Sequence, residues 1–512
     1  MGIERRHRAF AVALLAVALL AATGCESAPD APARPSARPR PSAAPSAPVA
    51  RVCAEPAAGP AKAPAGAVTV DPAILGDLAA KTESSPPNTT FWLRPGRHLL
   101  EPAPYAQVIA KEGNIYLGAP GAVLDGRRTN QYAFGGTARG VTIRHLTVQG
   151  FVAPHDEGVV NHDMADAWVI EHSKIQYNSG AGLMAGAHQR VRANCLRGNG
   201  QYGMNAYKTG DFIRSLLVEG NEIVGNNTDD WERRRPGCGC TGGVKFWAVD
   251  GADVRGNWVH DNRGAGLWAD NNNNDFLVEN NLLEGNDGAA LMYETSYNAI
   301  IRNNMIRRNN WVEGRNGAEH GDSFPFAAVY VSESGGEPRI PARTDRIEIY
   351  RNVLEDNWSG ITLWENADRY CNSPANTSTG YCTLLVKDTG RCARPAIATA
   401  PLYADCRWKT QRVDIRGNRF TLDTSVVECA VQCGRMAVLS NYGTYPDWSP
   451  YKGKRVAEAI TLKQGNRWHD NVYRGPWSFV TDDQSRRLDF AQWQGTPYRQ
   501  DAGSTLDPRD GG

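Results

Sequence analysis

The sequence predicts an all-β chain wound as a right-handed parallel β-helix, a solenoid with an N-terminal cap and long loop insertions. Three observations carry this expectation. Asn194, Asn221, Asn257, Asn281, Asn304, Asn352 and Asn418 recur at separations of 27, 36, 24, 23, 48 and 66 residues, each before an apolar residue directly or after one intervening position. The shortest spacings set a repeat of 23–24 residues, and the longer ones are coils that carry loops. With 52 Gly and Val/Ile/Leu runs of only three to five residues, helical repeats are disfavoured. Short similar stretches, 266–270 and 290–294, each lead to an Asn-rich step. In such a fold each coil supplies about three short strands, Asn stacks along the turns, and each apolar interior is covered by its neighbours.

The elements follow in order. Arg5, Arg6 and Arg8 precede an apolar run over 9–22 that is too short for a comfortable membrane span, which reads as an export signal over residues 1–25. The ending Ala22-Thr-Gly-Cys25 resembles the lipobox of bacterial lipoproteins, which implies cleavage before Cys25, lipidation of that residue and attachment at the extracellular face of the cell membrane. An ordinary cleaved signal with a Cys nearby is the alternative. Residues 26–66, rich in Ala, Pro and Ser, read as an extended tether. Residues 67–140 read as the opening cap, with a short helix over 74–81 and strands over 90–93, 108–109, 114–117 and 122–124, because an open first coil exposes both core and sheet edge. Regular coils occupy 141–420, interrupted by excursions at 310–343 and 366–409 that suit the walls of a cleft or a stiffened decoration. Residues 421–512 supply the last coils and close the far end.

Charge narrows the partners. With 56 basic and 55 acidic residues there is no nucleic-acid footprint. The partner is then neutral, or recognised locally, and we expect a monomer. Cys25 aside, ten cysteines remain, and in an exported chain an even number reads first as disulfides. Local pairs such as Cys371 with Cys382, Cys392 with Cys406 and Cys429 with Cys433 would pin the inserted loops. Cys238-Gly-Cys240 lacks a second ligand pair at zinc spacing, so no metal site is expected.

Strand side chains alternate between faces, so aligning the coils separates core from surface. Leu183, Met204, Val244, Leu267, Leu291, Val329 and Ile361 form one inward column, and Ala185, Ala206, Phe246, Ala269, Tyr293, Val331 and Leu363 another. The outward columns hold Met184, Asn205, Lys245, Trp268, Met292, Tyr330 and Thr362, then Gly186, Tyr207, Trp247, Asp270, Glu294, Ser332 and Trp364. Asp270 and Glu294 thus stand on adjacent coils, flanked by Trp and Tyr, as in a groove where pyranose faces stack on aromatics. Neighbouring strands lie about 4.8 Å apart. That suits the roughly 5–5.5 Å carboxyl separation of a retaining glycosidase and not the roughly 6.5–9.5 Å of an inverting one. Lys245, Tyr207, Trp247, Trp268, Trp364, Tyr330, Asn271 and Tyr297 are the expected binding residues for a poly- or oligosaccharide substrate. One extra residue between Asp270 and the next Asn step calls for a bulge or turn in the run 271–274.

The stretch from Gly266-Leu-Trp-Ala-Asp270 to Leu291-Met-Tyr-Glu294-Thr-Ser-Tyr-Asn298 resembles the β-xylosidases of glycoside hydrolase family 120, over some thirty residues. The resemblance implies Asp270 as nucleophile and Glu294 as acid/base, and no cofactor. The Asn run after Asp270 departs from that pattern. Residues 67–490 resemble, more broadly, right-handed parallel β-helix proteins of the pectate-lyase-like superfamily. This implies an alternative, a polysaccharide lyase or epimerase acting on a uronate, with Lys245 or Tyr207 as base and Asp270 as a calcium ligand. A third class is a non-catalytic surface protein that holds glycan. A second constellation, His155, Asp156, Glu157, His162 and Asp163, reads as a metal site, a distal subsite or a polar loop.

Overall fold

The computed structural model describes residues 51–54, 57–208, 210–235, 242–375, 382–429, 432–482 and 484–509. Cys25, most of the tether and the pair Cys238 and Cys240 lie outside them. The chain winds through three sheets of 13 strands each, and every coil adds one strand to each sheet. One such coil is Val169–Glu171, Lys174–Gln176 and Ala181–Met184. The ladders are parallel, except that Arg487–Leu488 runs antiparallel to Ser478–Asp482 at the far end. This is the right-handed parallel β-helix that the repeat predicts.

The corner between the first and second strands has a local cause. A single left-handed residue turns the chain, as at Ala193, Gly220, Gly256, Asn280, Asn303, Arg351 and Gly417, and the next residue is a ladder Asn. Glycine adopts this conformation without the Cβ penalty that other residues carry. Each ladder Asn binds its neighbours on both sides. Asn281 Oδ1 accepts from Asn257 N at 2.9 Å and from Asn257 Nδ2 at 3.0 Å, while its Nδ2 donates to Val254 O at 2.9 Å and to Asn304 Oδ1 at 3.0 Å. The ladder runs on to Asn471. A second ladder, Asn199, Asn226, Asn262, Asn286, Asn309 and Asn357, occupies the next corner and was not anticipated.

The apolar columns pair across the third sheet in the expected register, from Leu183↔Met204 through Leu267↔Leu291 to Val329↔Ile361. Their side chains are buried and form one continuous core. The opening helix begins at Asp77, after Gly76 turns left-handed, and ends at Ser84, three residues beyond the expected span. Before it, the chain runs back along the coils. Cys53 is disulfide-bonded to Cys195 and its N–H donates to Glu222 Oε2 at 2.8 Å, His145 Nδ1 lies 2.9 Å from Ala57 O, and Trp92 Nε1 donates to Pro60 O at 3.0 Å. Replacing both Cys53 and Cys195 by Ser should lower unfolding stability by about 2–4 kcal/mol, read as a drop in denaturation midpoint.

The pairs Cys371–Cys382, Cys392–Cys406 and Cys429–Cys433 are all present. The first two stiffen the second excursion, which forms a small core with the later segment around Tyr370, Ile397 and Tyr451. The first excursion contains the helix Trp311–Glu319 and is pinned where Arg343 meets Asp253 at 2.7 Å and Asp275 at 2.9 Å. Among the described residues no helix is long and apolar enough to cross a membrane.

Candidate active site

Asp270 ends the strand Leu267–Asp270 and Glu294 ends Leu291–Glu294, and the two residues are direct cross-strand partners. The register holds because Asp275, left-handed within the next strand, bulges out the extra residue. Both acids therefore keep the outer side of the third sheet, with the inward neighbours Ala269 and Tyr293 in the core.

Each acid carries its own cation. Lys245 Nζ lies 3.0 Å from Asp270 Oδ2, and its ammonium sits 4.3 Å from the centre of the Trp268 ring. Burial works to lower the Lys245 pKa, but Asp270 and Tyr202 outweigh it and hold the ammonium above the ordinary lysine range. Glu294 Oε2 accepts from Trp268 Nε1 at 3.1 Å, and Oε1 is ion-paired with Arg369. The side chains of Lys245, Asp270 and Glu294 are 13%, 9% and 14% exposed, so the pair lies recessed from solvent.

Arg369 comes from the second excursion and sequence reasoning missed it. A further carboxyl, Glu333, fixes that segment: Oε1 accepts from Asn366 N at 2.7 Å, Oε2 accepts from Ser332 Oγ, and Arg369 Nη1 lies 3.7 Å away. Burial pushes the Glu333 carboxyl up to about 7; Arg369 opposes the shift and Glu294 adds to it. The folded pKa is thus above the unfolded one. Glu333 contributes stability that is complete below the unfolded carboxyl range and is lost as pH rises through about 7. Glu333→Gln should flatten the fall in denaturation midpoint across that interval, as measured by parallel urea titrations in a pH series.

Several expected substrate-binding residues need correction. Trp268 is buried, because its ring packs against Lys245 and its N–H is committed to Glu294. Asn271 and Tyr297 are buried as well. The second excursion docks over this corner, where Asn272 Nδ2 donates to Cys382 O at 2.8 Å and Asn272 Oδ1 accepts from Trp408 Nε1 at 3.0 Å. Tyr330 and Trp364 are half-buried around Phe324 of the first excursion, at 5.9 and 5.7 Å between ring centres. Thr362, expected outward, is buried and donates to Pro325 O at 2.9 Å. Trp247 and Tyr207 remain half-exposed and meet edge-on at 6.1 Å, upstream of Asp270. Among the described residues no group of three or more His, Cys, Asp or Glu is placed to hold a metal ion, and Asp270, the calcium ligand of the lyase alternative, is paired with Lys245.

Fold and recess together define a right-handed parallel β-helix protein with a paired-carboxylate site on the outer face of its third sheet. A family model described as a right handed beta helix region matches residues 157–372. No curated protein matches the sequence. Among solved structures, the A-module of an Azotobacter vinelandii mannuronan C-5 epimerase is similar at 11% identity and TM-score 0.39, over 87% of this chain and 96% of that one. A PL6 family alginate lyase aligns at 11% identity and TM-score 0.39, over 84% of this chain and 57% of that one. A Yersinia enterocolitica family 28 exopolygalacturonase aligns at 8% identity and TM-score 0.24, over 86% and 78%. At these identities and scores no property of those proteins passes to this chain. None of these comparisons bears on the family 120 resemblance.

Proposed function

We propose that this chain is a carbohydrate-active enzyme that cleaves glycosidic bonds with retention, using Asp270 as nucleophile and Glu294 as acid/base. The observation that carries the reading is the direct cross-strand pairing of the two outward acids. Strands about 4.8 Å apart bring carboxyls to a separation suited to a covalent glycosyl intermediate. Asp270 attacks the anomeric carbon, forming the glycosyl ester, while Glu294 gives its proton to the departing glycosidic oxygen. Water then attacks the ester, its proton returns to Glu294, and Asp270 leaves as carboxylate. Both Glu294 oxygens accept from the protein, so the acid step requires substrate to displace Arg369. Lipidation at Cys25 would hold this activity at the extracellular face of the cell membrane.

A second reading, a lyase or epimerase on a uronate, is favoured by one observation: two cations, Lys245 and Arg369, stand in the recess. Arg369 would then neutralise the uronate carboxylate, and Lys245, an ammonium in the resting site, would first have to lose its proton before abstracting the one beside that carboxylate. The two readings separate on Lys245→Met. This change removes all activity if the amine is the base, whereas in the hydrolase it alters the environment of Asp270 and leaves measurable cleavage of activated aryl glycosides.

A further inference from the structure

Upstream, around the two ends of the strand Gly158–Val160, stands a group of side chains that the catalytic reading does not use. The Tyr132 hydroxyl donates to Glu157 Oε2, and the His162 ring stacks on Tyr132 with 3.6 Å between centres. Burial, then the bond to Glu157, holds the Tyr132 pKa above its ordinary value. His155 Nδ1 lies 2.8 Å from Asp156 Oδ2, and its ring meets Trp231 edge-on at 4.4 Å. Two ring nitrogens, His155 Nε2 and His162 Nδ1, are buried without a hydrogen-bond partner. A water or a ligand can satisfy them.

The cluster is continuous with the recess. Asp156 N–H donates to Gln201 Oε1 at 2.7 Å, Asp156 Oδ1 accepts from Gln201 Nε2 at 2.8 Å, and Asp156 O accepts from Asn205 Nδ2 at 3.1 Å. Its loop is thereby tied to the strand Met204–Ala206, the direct neighbour of Val244–Trp247, which carries Lys245. In the third sheet Gly158–Val160 is four strands before Leu267–Asp270, or roughly 19 Å along the stack.

We infer that this cluster is a distal glycan subsite for neutral, hydroxyl-rich sugars, so that a chain of several units lies along the third sheet and is cut internally. The inference rests on the glycan reading above and adds the substrate class. Asp156, Glu157 and Asp163, with side chains 53%, 42% and 38% exposed, accept hydrogen bonds from sugar hydroxyls and repel a carboxylated sugar. His162 and Trp231, both half-buried, supply the rings, and Tyr132, buried beneath the His162 ring, positions Glu157.

The test uses the full chain carrying Glu294→Gln, titrated by calorimetry with neutral xylo- and gluco-oligosaccharides from disaccharide to hexasaccharide and with matched oligouronates. Affinity for a neutral series should rise with length. Adding Glu157→Gln, or separately Tyr132→Phe, should weaken hexasaccharide binding about tenfold and leave the disaccharide unaffected, with unchanged denaturation midpoints showing that the fold is kept. Tighter binding of oligouronates, no binding of any neutral series, or a hexasaccharide affinity indifferent to both variants overturns the inference. Wild-type cleavage of a neutral glycan with hexasaccharide binding insensitive to Glu157→Gln defeats the subsite alone; length-dependent binding without cleavage defeats the catalytic reading alone.

Discussion

Replacing Glu294 by Gln is expected to slow cleavage of a natural glycan about 10²–10⁴-fold, the usual worth of a positioned acid/base, without loss of fold. Gln keeps the volume of Glu and can still meet the Trp268 N–H, so the recess stays formed. The loss has a chemical signature. An aryl glycoside with an acidic phenol leaves without protonation, so its first step should suffer far less than that of an unactivated sugar. Asp270→Asn lacks any such escape, since no ester forms, and both substrate types should fail together. The check is kcat/KM for each variant across aryl leaving groups of graded acidity. Equal losses at both positions for every leaving group would remove the assigned division of labour.

The largest effect on stability is expected from Asn281→Ala. The change strands Asn257 N–H and takes the side-chain donor from Val254 O inside a buried corner, while Asn304 Oδ1 keeps only the Asn281 N–H. An unsatisfied buried polar group costs about 1–3 kcal/mol, so the total should reach on the order of 3 kcal/mol or more. Asn281 touches no part of the recess, so activity below the denaturation midpoint should be kept. Urea unfolding followed by tryptophan fluorescence measures the loss. A change within about 0.5 kcal/mol, ordinary for a surface substitution, would show that the ladder does not hold the stack.

The stack was legible because its physics is periodic. The first Asn ladder recurs at the coil length, and two columns of apolar residues at period two fix which side of the third sheet faces inward. That register also placed Asp270 beside Glu294, with Asp275 absorbing the odd residue close to where the count required it. What the repeat does not encode was not legible. Arg369 lies in an excursion without periodicity, and only folding reveals that this arginine and not Arg391 or Arg394 reaches Glu294. Alternation says which face a side chain takes but not what covers that face, so Trp268, Asn271 and Tyr297 read as open when loops and neighbours bury them. Glu333 sits just past a strand end in a left-handed conformation, where the period-two rule stops. The second Asn ladder carries the same spacings as the first, offset by five residues, and a search on both offsets would have found it.

The most direct test is an assay of residues 51–512 on neutral and uronate-containing polysaccharides, recording reducing ends and unsaturated-product absorbance together, with Glu294→Gln alongside. The account predicts new reducing ends without absorbance, lost in the variant. Absorbance that persists in the variant, or binding with no product in either channel, would contradict it.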